Sequence, residues 1–127
     1  MRKIFTYGSN KSGIHGAGAA LRAKRYYGAV QGIGEGLQGD SYGIATKDEN
    51  IQTLSLEEVS KNISTFLAFA YANSDLLFMV TQIGCGLANF KVEQIAPQFA
   101  LAPENCVFDI EWKPFLGDVF EYFEGEL

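Results

Sequence analysis

Between the apolar run Ile4-Phe5-Thr6-Tyr7 and the helix-favouring segment Ala19-Ala20-Leu21-Arg22-Ala23-Lys24 stands Gly8-Ser9-Asn10-Lys11-Ser12-Gly13-Ile14-His15-Gly16-Ala17-Gly18. A strand that turns through glycines straight into a helix is the start of a βα unit, and it commits the chain to an α/β architecture. It also has a chemical consequence. Glycine lets the backbone take positive φ and approach a ligand closely, while the start of a helix offers unpaired N–H groups and about half a positive charge. Such a turn binds an anion.

The following segments repeat the alternation. A first strand is expected at roughly residues 3–7 and a first helix at about 16–27, stopped by Gly28. Residues 28–39 hold glycines at 28, 32, 34, 36 and 39, too many for regular structure, and are expected to form a long surface loop. Ser41-Tyr42-Gly43-Ile44-Ala45 reads as a second strand and Thr46-Lys47-Asp48-Glu49-Asn50 as the turn after it. Ser55 and Glu58 form a capping box ahead of Leu56, Val59, Ile63, Phe66, Leu67 and Ala70 at helical spacing, which predicts a helix over about 56–72. Leu76-Leu77-Phe78-Met79-Val80-Thr81 has the continuous apolar pattern of a strand buried on both faces, and a second glycine turn follows it, Ile83-Gly84-Cys85-Gly86-Leu87. A third helix is expected at about 91–101, with Pro97 either in its first turn or at a kink, and a last strand at about 105–110.

The order β-α-β-α-β-α-β predicts a mainly parallel sheet covered by helices on both faces, a three-layer α/β/α domain. Ligands of such sheets gather beyond the carboxyl ends of the strands, where residues 8–18, 46–50 and 83–88 all fall. In the tail, Phe115, Leu116, Val119, Phe120 and Phe123 share one side of a short helix expected at 115–124. That helix either docks on its own domain or makes an oligomer contact.

The 127 residues fit one domain, 1–127, and 47% hydrophobic with 20% charged residues is globular composition. No apolar run approaches the roughly 18 residues of a membrane helix, and Arg2 and Lys3 precede too few apolar residues for a signal peptide, so a cytoplasmic protein is expected. The net charge of −5 argues against general nucleic-acid binding. Yet Arg2, Lys3, Lys11, Arg22, Lys24 and Arg25 carry six of the ten positive charges and no acid appears before Glu35, so the first glycine loop lies in basic surroundings. A small anionic ligand fits this asymmetry better than a long polyanion.

Two familiar phosphate motifs are absent. Gly16-Ala17-Gly18-Ala19-Ala20-Leu21 has leucine where the dinucleotide fingerprint needs glycine or alanine, and only Asp40, inside a glycine loop, approximates the ribose-binding acid. No Gly-Lys-Ser/Thr closes the loop as a Walker motif would. His15 is the only histidine, which excludes a metal site built on several histidines, and no metal or cofactor is expected.

Three stretches do resemble a known family. Tyr7-Gly8-Ser9-Asn10 with His15-Gly16-Ala17-Gly18-Ala19-Ala20 is similar to the first loop of the macro-domain superfamily. Tyr42-Gly43-Ile44-Ala45-Thr46-Lys47 resembles the strand and lysine of its terminal ADP-ribose glycohydrolase branch, and Thr81-Gln82-Ile83-Gly84-Cys85-Gly86-Leu87 resembles that branch's second phosphate loop. The resemblance spans about residues 4–100 and implies a compact macro-like domain. Its ligand would be ADP-ribose or a related NAD-derived nucleotide diphosphate, free or carried by an ADP-ribosylated macromolecule.

The resemblance also implies roles. Gly8, Ser9 and Asn10 would border the ligand, with Asn10 on the distal ribose; Gly16, Ala17 and Gly18 would pass near the diphosphate and that ribose; Ile83, Gly84, Cys85, Gly86 and Leu87 would cradle the diphosphate. Lys47 matches the lysine that attacks the anomeric carbon of ADP-ribose on an acidic side chain, chemistry that requires a neutral amine. Ala88 stands where that branch has its catalytic acid, so Asp48 is the candidate to assist. The alternative to hydrolysis is a non-catalytic reader or sequestering protein for the same metabolite class.

Several residues keep two readings. His15 either touches the ligand or serves as a hydrogen-bonded structural group. Cys85 is either a thiol activated at a helix start or a small buried hydrophobe, and Cys106 lies in apolar surroundings. Tyr26, Tyr27 and Tyr42 either stack on a base or belong to the core.

Overall fold

The computed structural model describes residues 1–127 and contains one six-stranded sheet. The strands are β1 (Arg2–Asn10), β2 (Gly36–Gln38), β3 (Ser41–Lys47), β4 (Leu76–Val80), β5 (Cys106–Asp109) and β6 (Glu121–Phe123). Their spatial order is β2-β3-β1-β4-β5-β6, and every neighbouring pair is parallel except β2 with β3. Four helices accompany them: α1 (Gly18–Tyr26), α2 (Leu56–Ala72), α3 (Val92–Ile95) and α4 (Lys113–Leu116).

The two faces are covered unequally. Alternation along β1 sends Phe5 and Tyr7 toward α1, where Ala20 and Ala23 meet them in a small cluster completed by Ala29. Ile4 points the other way, into a core of 20 buried residues shared by α2, the segment after α3, and α4. Aromatic rings dominate that core. Phe66 meets Phe78 edge-on at 5.2 Å between centroids, and Phe99 packs on Phe108 at 5.6 Å and on Trp112 at 5.4 Å. The result is a three-layer α/β/α domain with a mostly parallel sheet, as the alternating pattern predicts. No helix is long and apolar enough to cross a membrane.

α2 follows the sequence closely. Ser55 caps it by accepting the Glu58 amide at 3.2 Å, Glu57 and Glu58 oppose the helix dipole in the first turn, and Val59, Ile63, Phe66 and Ala70 form the buried stripe. Elsewhere the structure departs from expectation for identifiable reasons. β1 continues through Gly8 and Ser9 to Asn10, because these residues still pair with Ile44, Ala45 and Lys47, with a register shift at Ser9/Asn10. The expected irregular loop 28–39 contains β2, held antiparallel against Ser41–Gly43. The expected helix 91–101 is only α3 followed by a 3₁₀ turn, Ala96–Phe99, because Pro97 has no N–H to continue an α-helix.

The tail is corrected more substantially. α4 starts at Pro114's permitted first turn and ends at Gly117, whose φ is +77°, so no helix covers 115–124. The chain then forms β6 beside β5, with Phe120 against Phe108 at 5.0 Å and the Tyr122 hydroxyl donating to the Gly117 carbonyl at 2.6 Å. The expected common apolar side is split. Leu116 is buried whereas Val119 is 84% exposed. The tail docks on its own sheet.

Candidate functional site

The parallel strands β1, β3, β4 and β5 end at Asn10, Lys47, Val80 and Asp109, and a cleft of about 630 Å³ opens beyond those ends. The end of β1, the start of α1, the end of β3 and the segment 81–88 after β4 line it together. Of the residues singled out from the sequence, Gly8, Ser9, Asn10, Gly16, Ala17, Gly18, Lys47, Ile83, Gly84, Cys85, Gly86 and Leu87 all border this space.

The first loop is shaped by its own side chains. The Asn10 Oδ1 accepts the Ile14 amide at 2.9 Å and the Ser12 hydroxyl at 3.1 Å, while its Nδ2 donates to the Ile14 carbonyl at 2.8 Å. Asn10 thus closes residues 10–14 into a tight turn at the cleft's edge. Behind that turn lies the glycine loop after α1. The Ser9 hydroxyl donates to the Gly34 carbonyl, and the Gly32 amide donates to the Gly13 carbonyl at 2.9 Å. Only glycine fits at 34, since a Cβ there would stand 1.7 Å from the Asn10 carbonyl oxygen.

His15 and Asp48 are not in the cleft. His15 is 1% exposed, and its Nε2 lies 3.0 Å from the Val30 carbonyl and 3.1 Å from the Ile33 carbonyl, so that nitrogen carries the proton and donates to both. It fastens the 30–33 loop from below, the structural of its two readings. Asp48 turns into the segment after β3, where its Oδ1 accepts the amides of Asn50 at 2.8 Å and Gln52 at 3.0 Å. A carboxylate engaged that way does not face the ligand space, and the expectation that Asp48 assists Lys47 is corrected accordingly.

Two rows of unpaired amides remain. Ala17 starts α1 in an extended conformation without a side-chain cap, and the first turn has no acid. The amides of Gly16, Ala17, Gly18, Ala19 and Ala20 consequently have no acceptor in the protein. Across the cleft, the 83–88 turn leaves the amides of Gly84, Gly86, Leu87 and Ala88 equally free, while Cys85, Asn89 and Phe90 use theirs to close the turn. The two loops come close at Gly8, where a Cβ would lie 3.3 Å from the Gly84 nitrogen. Lys47 supplies the cation. Its ammonium has no carboxylate within 4.0 Å, whereas Lys11 nearby pairs with Glu58 at 3.8 Å.

Cys85 is not activated. Burial, reinforced by Glu93, pushes its thiol up to about 11, and the Sγ donates to the Ile83 carbonyl at 3.6 Å. Cys106 is pushed up to about 12 by burial, and both thiols are unpaired. Tyr27 stacks on Phe5 with centroids 4.5 Å apart, and Tyr42 packs against Phe66 at 5.0 Å, so both belong to the core. Tyr26 alone stays outside the core, 67% exposed at the end of α1.

Sequence reasoning missed Asp109 and gave no role to Thr81 and Gln82 at the start of the second loop, all of which also line the cleft. Asp109 is the only acid among the lining residues, and one of its carboxylate oxygens accepts the Glu111 amide at 2.9 Å. Thr81 donates its hydroxyl to the Thr6 carbonyl at 2.8 Å, fixing the start of the second turn against β1. The available signal was positional: Asp109 ends a strand at the same sheet edge as the glycine turns. No group of three histidine, cysteine or acidic side chains is placed to hold a metal ion.

No family model and no curated protein matches the chain by sequence. In three dimensions it is similar to a protein of unknown function from Bacteroides thetaiotaomicron, with 16% identity and a TM-score of 0.57 over 96% of this chain and 87% of that one. At that identity the likeness speaks for the fold alone, and it extends over nearly the whole three-layer domain.

Proposed function

We propose that the cleft binds ADP-ribose or a related NAD-derived nucleotide diphosphate. The observation that carries this reading is the pair of amide rows lining the cleft, Gly16 to Ala20 on one side and Gly84, Gly86, Leu87 and Ala88 on the other, with the unpaired Lys47 beside them. Backbone amides at a helix start suit phosphate because they donate hydrogen bonds without a side-chain counter-charge, and the helix dipole adds about 0.3–1 kcal/mol for an anion there. The second row lies in a turn and offers its amides without a helix dipole, and two rows suit two phosphates. The resemblance of three loops to macro domains supports the choice of ADP-ribose among diphosphates, and a cytoplasmic location goes with it.

Binding without turnover is the reading the geometry favours. Ala88 occupies the place of the expected acid, and Asp48 is engaged in its own turn. Hydrolysis of an ADP-ribosyl bond stays as the second reading on one observation, that Lys47 reaches the cleft free of any carboxylate partner. Calorimetry with ADP-ribose, AMP and inorganic diphosphate tests the first reading; no heat from any of the three at millimolar concentration contradicts it. The second is tested by incubating glutamate-linked ADP-ribosyl protein with wild type and Lys47→Ala. Equal release by both removes Lys47 from the chemistry.

A further inference from the structure

A second groove, of about 440 Å³, lies beside the cleft between α1 and the tail. It shares Gly18, Ala19, Thr81 and Asp109 with the cleft, so the two spaces adjoin. Its far part is chemically distinct. Arg22, Arg25 and Tyr26 project from α1, and Glu126 and Leu127 face them from the tail. Arg22 is engaged: its guanidinium lies over the Tyr26 ring at 5.3 Å, its Nε donates to the Leu127 carbonyl at 2.6 Å, and it pairs with Glu126 at 3.5 Å. Arg25 has no carboxylate within 4.0 Å.

We infer that this groove receives a further phosphate of the nucleotide held in the cleft, on Arg22 and Arg25, with Glu126 displaced. This rests on the proposed diphosphate reading of the cleft. The helix supplies the spacing: Arg22 and Arg25 follow Gly18 by about 6 and 10 Å along the axis, the step from a diphosphate at the helix start to a substituent one sugar ring away. With Glu126 in place, the two guanidinium groups are opposed by the carboxylates of Glu126 and Asp109 and by Leu127; displacing Glu126 removes one acid from the groove. The Glu126 carboxylate already occupies an anion position on Arg22, and its side chain is largely exposed, so it yields readily to a better anion. Guanidinium groups bind phosphate through paired N–H donors, and Tyr26 supplies a ring face for a base or sugar.

The test is calorimetric titration with ADP-ribose and with ADP-ribose carrying a phosphate on the adenosine 2′-hydroxyl. In wild type the extra phosphate raises affinity about tenfold, the effect of one charge-assisted contact. In Arg25→Gln the ratio of the two affinities falls toward one, and in Glu126→Gln it rises. A ratio of one in wild type, with ADP-ribose still bound, overturns the groove's role and leaves the cleft reading standing; failure of both ligands to bind overturns both. Equal ratios in wild type and Arg25→Gln likewise contradict the inference.

Discussion

Replacing Asn10 by alanine separates two roles for a side chain at the cleft's edge. Asn10 is 7% exposed and bridges both polar groups of Ile14, with bonds of 2.8 and 2.9 Å. Each such bond contributes about 1 kcal/mol net. The third bond, from Ser12, counts for less because that half-buried hydroxyl finds water when released. Loss of packing by the truncated amide brings the expected cost to about 2–3 kcal/mol. For a chain of this length that is on the order of 10 °C in Tm. Urea unfolding without ligand measures it, and amide exchange at Lys11 to Ile14 localises it. If Asn10→Ala unfolds within about 0.5 kcal/mol of wild type, typical of a surface site away from special contacts, but loses ADP-ribose affinity, the side chain acts on the ligand and not on the loop, and the reasoning fails.

Gly34→Ala is expected to destabilise more than Asn10→Ala, by upward of about 3 kcal/mol, because the new Cβ would meet the Asn10 carbonyl at 1.7 Å and force the interlocked loops apart; thermal unfolding decides. Ser55→Ala removes the cap of α2 and costs about 1 kcal/mol, read from the urea midpoint at unchanged m-value. Alkaline pH weakens the fold. Cys85, Cys106 and Tyr7 are raised by burial to about 11, 12 and 12 from ordinary values of 9.0, 9.0 and 10.0. Their neutral forms are favoured in the native state, so the stability they contribute is full below about pH 9 and is lost as pH rises toward 11–12. Flat stability from pH 8 to 11 contradicts that burial, as does rapid alkylation of Cys85 at pH 8 in the folded protein.

How far the sequence discloses this molecule depends on whether a feature is local. α2 is legible because its cap, its acidic first turn and its apolar stripe are all written within 56–72. β4 is legible because a strand buried on both faces needs an unbroken apolar run. β2 and β6 are not, since each depends on a neighbour: Gly36 to Gln38 pair only because Ser41 to Gly43 lie opposite, and Glu121 to Phe123 only because β5 presents an edge. The apolar residues of the tail, three and four apart, imitate a helix stripe that Gly117 interrupts.

The cleft itself was legible because glycine turns after parallel strands must share one sheet edge. Side-chain direction was not. His15 and Asp48 sit beside true lining residues in the chain, but one is drawn under the 30–33 loop by two carbonyls and the other into the amides of its own turn. Asp109 was missed for the opposite reason: nothing in its neighbours marks it, and only the parallel register of β5 with β4 brings it to the cleft.

The central claim is that two rows of free amides hold a diphosphate, and amide chemical shifts report on those groups directly. Titration of isotopically labelled protein with ADP-ribose is expected to move the resonances of Gly16 to Ala20 and of Gly84, Gly86, Leu87 and Ala88 together, saturating at one ligand per chain. Shifts confined to other surfaces, or none at millimolar ADP-ribose, contradict the account.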